Sequence, residues 1–145
     1  MDKTNLFDFQ VTWRDLDANG HMANTAYMDF ATYSRIVYFE QYGFGAKAMK
    51  ELEVGPVALN DNLSYRREMH MLDKFKIELM WAGVNSKDTR YVIVNRFSAL
   101  DGTITAEVRS MVVWMDLNTR KVIVPPQMLL DAVNALPKTD DFAPL

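Results

Sequence analysis

Trp13-Arg14-Asp15-Leu16-Asp17-Ala18-Asn19-Gly20-His21-Met22-Ala23-Asn24-Thr25-Ala26-Tyr27-Met28-Asp29-Phe30 contains the change of period on which the fold turns. Before and into it, Phe7, Phe9, Val11 and Trp13 alternate with polar residues, the repeat of a strand with one buried face. From about Asn24 the apolar residues recur at helical spacing, and they continue to Tyr42. Asp15 to Ala23 is the short polar loop between the two. Such a loop delivers two groups to one place. One is the carboxylate of Asp17; the other is a helix start, with unpaired N–H groups and roughly half a positive charge. A carboxylate beside backbone donors is a minimal kit for attacking a carbonyl and holding the resulting oxyanion.

The helix expected from Asn24 has that residue as its N-cap and Gly43 or Gly45 as its stop. Only Asp29, Thr32, Ser34, Arg35, Glu40 and Gln41 interrupt its apolar coat, so it needs cover on most sides. The cover follows directly. Residues 45–53 read as a short helix and Gly55-Pro56 as a break. Val57 to His70, Phe75 to Val84, Arg90 to Leu100 and Ile104 to Met115 then read as strands, alternating or rich in β-branched and aromatic residues. Asn85-Ser86-Lys87-Asp88 and Asp101-Gly102 are hairpin loops, Asn118-Thr119 a further turn, Pro125-Pro126 a stop, and 127–136 a closing helix. Short links make neighbouring strands antiparallel. The expected fold is α+β, a curved antiparallel sheet of about five strands wrapped around one long central helix. That is the hotdog fold, as a single domain over residues 1–145.

Composition narrows the function. With 49% of residues apolar and 24% charged, the chain is globular and large enough to bury a core. A formal net charge of −3 and no basic face give nucleic acid no footing. The absence of cysteine excludes disulfides, thiolate metal sites and a cysteine nucleophile. No apolar run approaches the roughly 20 residues of a membrane span. The start, Met-Asp-Lys-Thr-Asn, lacks the basic and apolar regions of a signal peptide, so a soluble cytoplasmic protein is expected. The methionines, Met22, Met28, Met69, Met71 and Met80 among them, read as core filler, some of which line an adaptable pocket in the minority reading.

Several chemistries compete for the loop. Asp15-x-Asp17-x-Asn19-Gly20 matches the first half of an EF-hand loop, but its twelfth position is Ala26 where a bidentate Glu belongs. A zinc site built on His21 with Asp15 or Asp17 is short of ligands, because the other histidine, His70, falls far away on an expected strand. No metal and no cofactor is therefore expected. Asp, Asn and Gly are also ordinary turn formers; what sets this loop apart is their conjunction with a His at a helix start. Acyl transfer remains. The chain has no G-x-S-x-G nucleophile elbow. A thioester suits so sparse a site, because a thiol of pKa about 8.5 departs as thiolate without a dedicated acid.

Trp13 to Tyr27 resembles the signature of the hotdog thioesterases related to 4-hydroxybenzoyl-CoA thioesterase, D-x-D-x-x-G-H-x-N-N-x-x-Y at the entrance to the central helix. Val112-Val113-Trp114-Met115-Asp116-Leu117-Asn118-Thr119-Arg120-Lys121, followed by Ile123-Val124-Pro125, is similar to that family's last strand and tail. The resemblance implies Asp17 as the catalytic carboxylate, base or nucleophile, with a backbone N–H near Asn24 polarising the thioester carbonyl. Asp17-x-Asn19-x-His21 is also similar to the D-x-N-x-H element of acyl-carrier-protein thioesterases, in which Asn19 and His21 would orient substrate or water. Tyr27 is a candidate substrate contact, and Ser86, Lys87 and Arg90 are candidates for the CoA nucleotide. One departure is that Ala23-Asn24 stands where the family often has two Asn. The expected function is hydrolysis of an acyl thioester, acyl-CoA foremost or an acyl-carrier-protein thioester. The alternative is a non-catalytic acyl-CoA or lipid-binding hotdog protein. A homodimer is expected, with pairing of dimers into a tetramer left open, because a lone curled sheet leaves an open edge and an incompletely covered helix.

Overall fold

A computed structural model describes residues 2–145. The alternation at Phe7 and Phe9 forms β1 (Leu6–Gln10), a single 3₁₀ turn follows at Trp13–Asp15, and α1 spans Asn24–Glu40. Then come α2 (Ala46–Leu52), β2 (Val54–Tyr65), β3 (Lys74–Val84), β4 (Arg90–Ala99) and β5 (Ile104–Asp116). The short β6 (Val122–Ile123), α3 (Gln127–Asn134) and β7 (Lys138–Pro144) close the chain. One sheet takes the order β1-β3-β4-β5-β2, with β6 on β5 and β7 on β3. The five ordered strands are antiparallel neighbours, whereas β7 runs parallel to β3.

The sheet wraps α1 in the expected hotdog arrangement. Ala26, Tyr27, Ala31, Ser34, Tyr38 and Phe39 are the buried residues of α1, and their spacing puts them on one face. Phe75, Ile77, Phe97 and Val108 form the core under the first half of the helix. Leu79, Trp81, Tyr91 and Trp114 form it under the second half, with Leu129 and Val133 of α3. The cover is less complete than the sequence led us to expect. Asp29, Thr32, Tyr33, Ile36 and Glu40 make an outward face, on which Tyr33 is 57% and Ile36 49% exposed.

Two elements differ from expectation. The strand expected over Val57–His70 runs over Val54–Tyr65, so the supposed break at Gly55-Pro56 lies inside it, opposite Met115 and Trp114. Pro56 is tolerated because β2 is an edge strand, where a missing N–H leaves no ladder bond unmade. The unforeseen β7 takes over the edge of β3 where β1 stops: Leu79 N–H donates to the Asn5 carbonyl at 2.8 Å, and Trp81 N–H to the Pro137 carbonyl at 3.0 Å. Among the described residues no helix is long and apolar enough to cross a membrane.

Gly83 is what lets β7 approach. A Cβ there would stand 2.7 Å from the Ala143 carbonyl oxygen and 2.9 Å from Leu145 Cδ2. Gly83→Val should therefore push β7 off β3 and destabilise the fold by about 1–3 kcal/mol, the usual range for overpacking. Denaturant unfolding checks this, and a wild-type midpoint would show that β7 docks by other means.

Candidate active site

The loop from Asp15 to Ala23 is built by two aspartates with different jobs. Asp15 Oδ2 accepts the Thr12 N–H at 2.8 Å and the Thr12 hydroxyl at 3.0 Å, which closes the 3₁₀ turn. Gly20, at φ 74°, supplies the left-handed residue on which the chain reverses, and Asp17 N–H donates to the His21 carbonyl at 2.8 Å. Asp17 Oδ1 accepts the N–H groups of Asn19 at 2.9 Å and His21 at 3.2 Å. Its Oδ2 has no hydrogen-bond partner among the described residues, and the side chain is exposed. One oxygen of Asp17 holds the loop; the other is free.

The helix start is displaced by one residue from the expectation. Ala23 is the N-cap, at φ −66° and ψ 147°, no side chain caps the helix, and Asn24 is its first residue. Met22 N–H donates to the Met69 carbonyl and Ala23 N–H to the Asp15 carbonyl, both at 2.7 Å, while Ala26 N–H turns back to the Ala23 carbonyl at 3.0 Å. The N–H groups of Asn24 and Thr25 meet no protein acceptor among the described residues. An Asn at position 23 would be placed to cap such donors. Ala23 cannot, so the departure from the family pattern leaves the positive end of the helix open.

Two residues that the sequence did not single out, Tyr65 and Glu68, join this loop, and so does His70, which the sequence reading places far from His21. Tyr65 donates its hydroxyl to the Asn24 carbonyl at 3.2 Å. His70 stacks edge-on against His21 with ring centroids 5.0 Å apart, the two backbones meeting in an isolated bridge. Glu68 lies beside both imidazoles; its carboxyl is held below the usual range by its backbone hydrogen bond first, then by the two histidines and Arg67. Tyr27, expected to contact substrate, is 3% exposed, and its ring packs between Tyr65 and Phe97. Burial first, and then Tyr65, Asp17 and Glu68, push its hydroxyl pKa upward, so at neutral pH it remains an O–H next to the carboxylates. Asn19 is exposed and His21 half-buried at the turn.

Ser86, Lys87 and Arg90 are not brought to the loop within one chain. They stand exposed at the other end of β3, whose 11 residues span roughly 35 Å. Asn85 Oδ1 braces their hairpin by accepting the N–H groups of Thr89 at 2.8 Å and Arg90 at 2.9 Å.

Between α1 and strands β2, β4 and β5 lies a cavity of about 450 Å³, walled by Met28, Ile36, Phe39, Tyr91, Val112 and Trp114. Asp17 does not line it; Met28, one helical turn beyond Asn24, is the lining residue nearest the loop along α1. Arg35 and Asp61 supply its charged part. Burial pulls the Arg35 guanidinium down to about 10, against the opposing pull of Asp61. It remains a cation at neutral pH.

The family model of the thioesterase-like superfamily matches residues 11–133. The chain belongs to that superfamily. Solved structures of the same fold include a hypothetical protein from Staphylococcus aureus in complex with CoA, 19% identical, with a TM-score of 0.82 over 92% of this chain and 84% of that one. A 1,4-dihydroxy-2-naphthoyl-CoA thioesterase from Synechocystis is 14% identical, with a TM-score of 0.81 over 90% and 96%. A DHNA-CoA thioesterase from Staphylococcus aureus is 15% identical, with a TM-score of 0.72 over 82% and 78%. No curated protein matches the sequence.

The two aspartates of this superfamily loop should separate in stability measurements. Asp15→Ala removes the cap of the 3₁₀ turn and should destabilise by about 0.5–2 kcal/mol. Asp17→Asn keeps an acceptor for the Asn19 and His21 N–H groups and should leave the melting temperature within a degree or so of wild type. Equal losses in the two variants would mean that Asp17 is as structural as Asp15.

Proposed function

We propose that the chain hydrolyses acyl thioesters, acyl-CoA foremost, with Asp17 as the base or nucleophile. The observation that carries this is the free Asp17 Oδ2 on a loop that ends at two unpaired helix N–H groups. As a base, Asp17 takes a proton from water while the water oxygen attacks the thioester carbonyl. The carbonyl oxygen becomes an oxyanion held by the N–H groups of Asn24 and Thr25, the C–S bond breaks, and thiolate leaves. As a nucleophile, Asp17 attacks the carbonyl itself and expels the thiolate, and water then cleaves the resulting anhydride to free acid and the Asp17 carboxylate. His21 and Asn19 orient substrate or water. Membership of the thioesterase-like superfamily and the CoA-bound and CoA-thioesterase neighbours support the reading. The apolar cavity along α1 is the candidate acyl chamber, with Met28 at the end nearer the loop.

The working unit in this reading is a homodimer. β2 offers 12 residues of sheet edge with no partner strand on its outer side among the described residues. If two β2 strands pair antiparallel, the two-fold axis exchanges the ends of the sheet. The partner's hairpin carrying Ser86, Lys87 and Arg90 then comes to the same end of the sheet as Asp17, where it would hold CoA phosphates. Light scattering should give a dimer at micromolar concentration; a folded monomer would exclude this arrangement.

Two kinetic outcomes are expected. Asp17→Asn should lower kcat by at least about 100-fold, the lower range of what general-base assistance supplies, with acyl-CoA affinity unchanged. Full turnover in that variant would end the role of Asp17, and tight acyl-CoA binding by a wild type that releases no thiol would favour the non-catalytic binding protein. Lys87→Glu with Arg90→Glu should raise KM far more than it lowers kcat, as loss of uniform binding does. Mixing that double variant with Asp17→Asn should restore activity as subunits exchange, because every mixed dimer carries one intact site and one doubly defective one. No recovery on mixing would place both functions in one chain.

A further inference from the structure

Beside His21 the loop gathers two residues, Glu68 and His70, that the proposed thioester hydrolysis does not use. One ligand atom from each of His21, Glu68 and His70 lies within 4.8 Å of the other two. The cluster is fixed from the backbone up. His21 and His70 face each other across the isolated bridge, which sets their side chains next to one another. Met69 points inward at 3% exposure, so its neighbours Glu68 and His70 both point out. The two rings stand at 87° to each other with no hydrogen bond between them. Behind His70, Asp73 Oδ2 accepts the His70 N–H at 2.8 Å and sits 3.7 Å from Nδ1. Asp73 thus pins the backbone of His70 and puts a carboxylate near its ring, though 3.7 Å is too long for a hydrogen bond to Nδ1.

We propose that His21, Glu68 and His70 bind one divalent transition-metal ion, and that its binding switches off the adjacent thioester site. Two imidazoles and a carboxylate suit Zn²⁺, Ni²⁺ or Cu²⁺; Mg²⁺ and Ca²⁺ want oxygen ligands alone. Three protein ligands leave a fourth position of a zinc tetrahedron for water, and the exposure of Glu68 and His70 gives the ion a path in. The ion would clamp the Asp17 loop to residues 68–70 and take the His21 imidazole away from substrate. This second part rests on the thioesterase reading; the metal site does not.

Equilibrium dialysis of the full chain, free of any affinity tag, against Zn²⁺ should retain one ion per chain, with no competition from Mg²⁺. His70→Ala and Glu68→Gln should each weaken binding at least about tenfold, since even outer-shell changes at metal sites reach that size. Both residues are exposed, so both variants should melt like the metal-free wild type. No retained zinc, or zinc held equally by both variants, overturns the site. Saturating Zn²⁺ should slow acyl-CoA hydrolysis by the wild type and leave that of His70→Ala unchanged; undiminished wild-type turnover overturns the switch. Metal-free protein with no hydrolysis at all counts against the thioesterase reading, and dialysis still decides the metal site.

Discussion

Two backbone hydrogen bonds, from Met22 to Met69 and from Ala23 to Asp15, fix where α1 begins, and the geometry of the loop follows from them. They use up the last N–H groups before the helix in strand-like pairings. The first donors left over are those of Asn24 and Thr25, at the end where the helix dipole is positive. The same two bonds hold Asp17 close by on the preceding turn and lash the loop to the segment that carries Glu68 and His70. A loop fastened only by side chains would have left the carboxylate and the helix end free to drift apart.

A second constraint runs through the middle of α1. Arg35 Nε donates to Asn95 Oδ1 and Nη2 to Ser110 Oγ, each at 2.8 Å, and Ser110 donates onward to Asp61. Asn95 Nδ2 donates to Ser34 Oγ at 2.8 Å. The helix is thereby tied to β4, β5 and β2 by bonds of a single geometry, where apolar packing alone would tolerate rotation. A cation this deep costs stability unless its donors are met. Two of the five guanidinium donors are used in this network. With Asp61, Arg35 is the charged part of a chamber whose other walls are largely apolar.

The parts of this fold that were legible in the sequence are those that depend on neighbours along the chain. β3, β4, β5 and α1 follow from local alternation and period, and Asp17 from a contiguous motif at the change between them. The β7 segment, Lys138-Thr139-Asp140-Asp141-Phe142-Ala143-Pro144, has no apolar alternation, and its place is made by a bare glycine on a distant strand. Gly55-Pro56 reads as a break because nothing local says that β2 lies at an edge. His70 looked remote from His21 for the same reason: the bridge between them is a tertiary contact with no trace in spacing. Asn24 was misplaced by one position because its side chain is a good cap, while the backbone puts Ala23 there.

The edge of β3 is shared by β1, running antiparallel, and β7, running parallel, with Asn5 and Pro137 at the handover. No added strand could follow that border without changing its bonding pattern halfway along. β2, on the far side, is long and is interrupted only by one bulge near Leu59 and by the donor missing at Pro56. The sheet can therefore be extended in one direction only. Whatever pairs with β2 consumes the one long template, so assembly along the sheet terminates instead of growing into a ribbon.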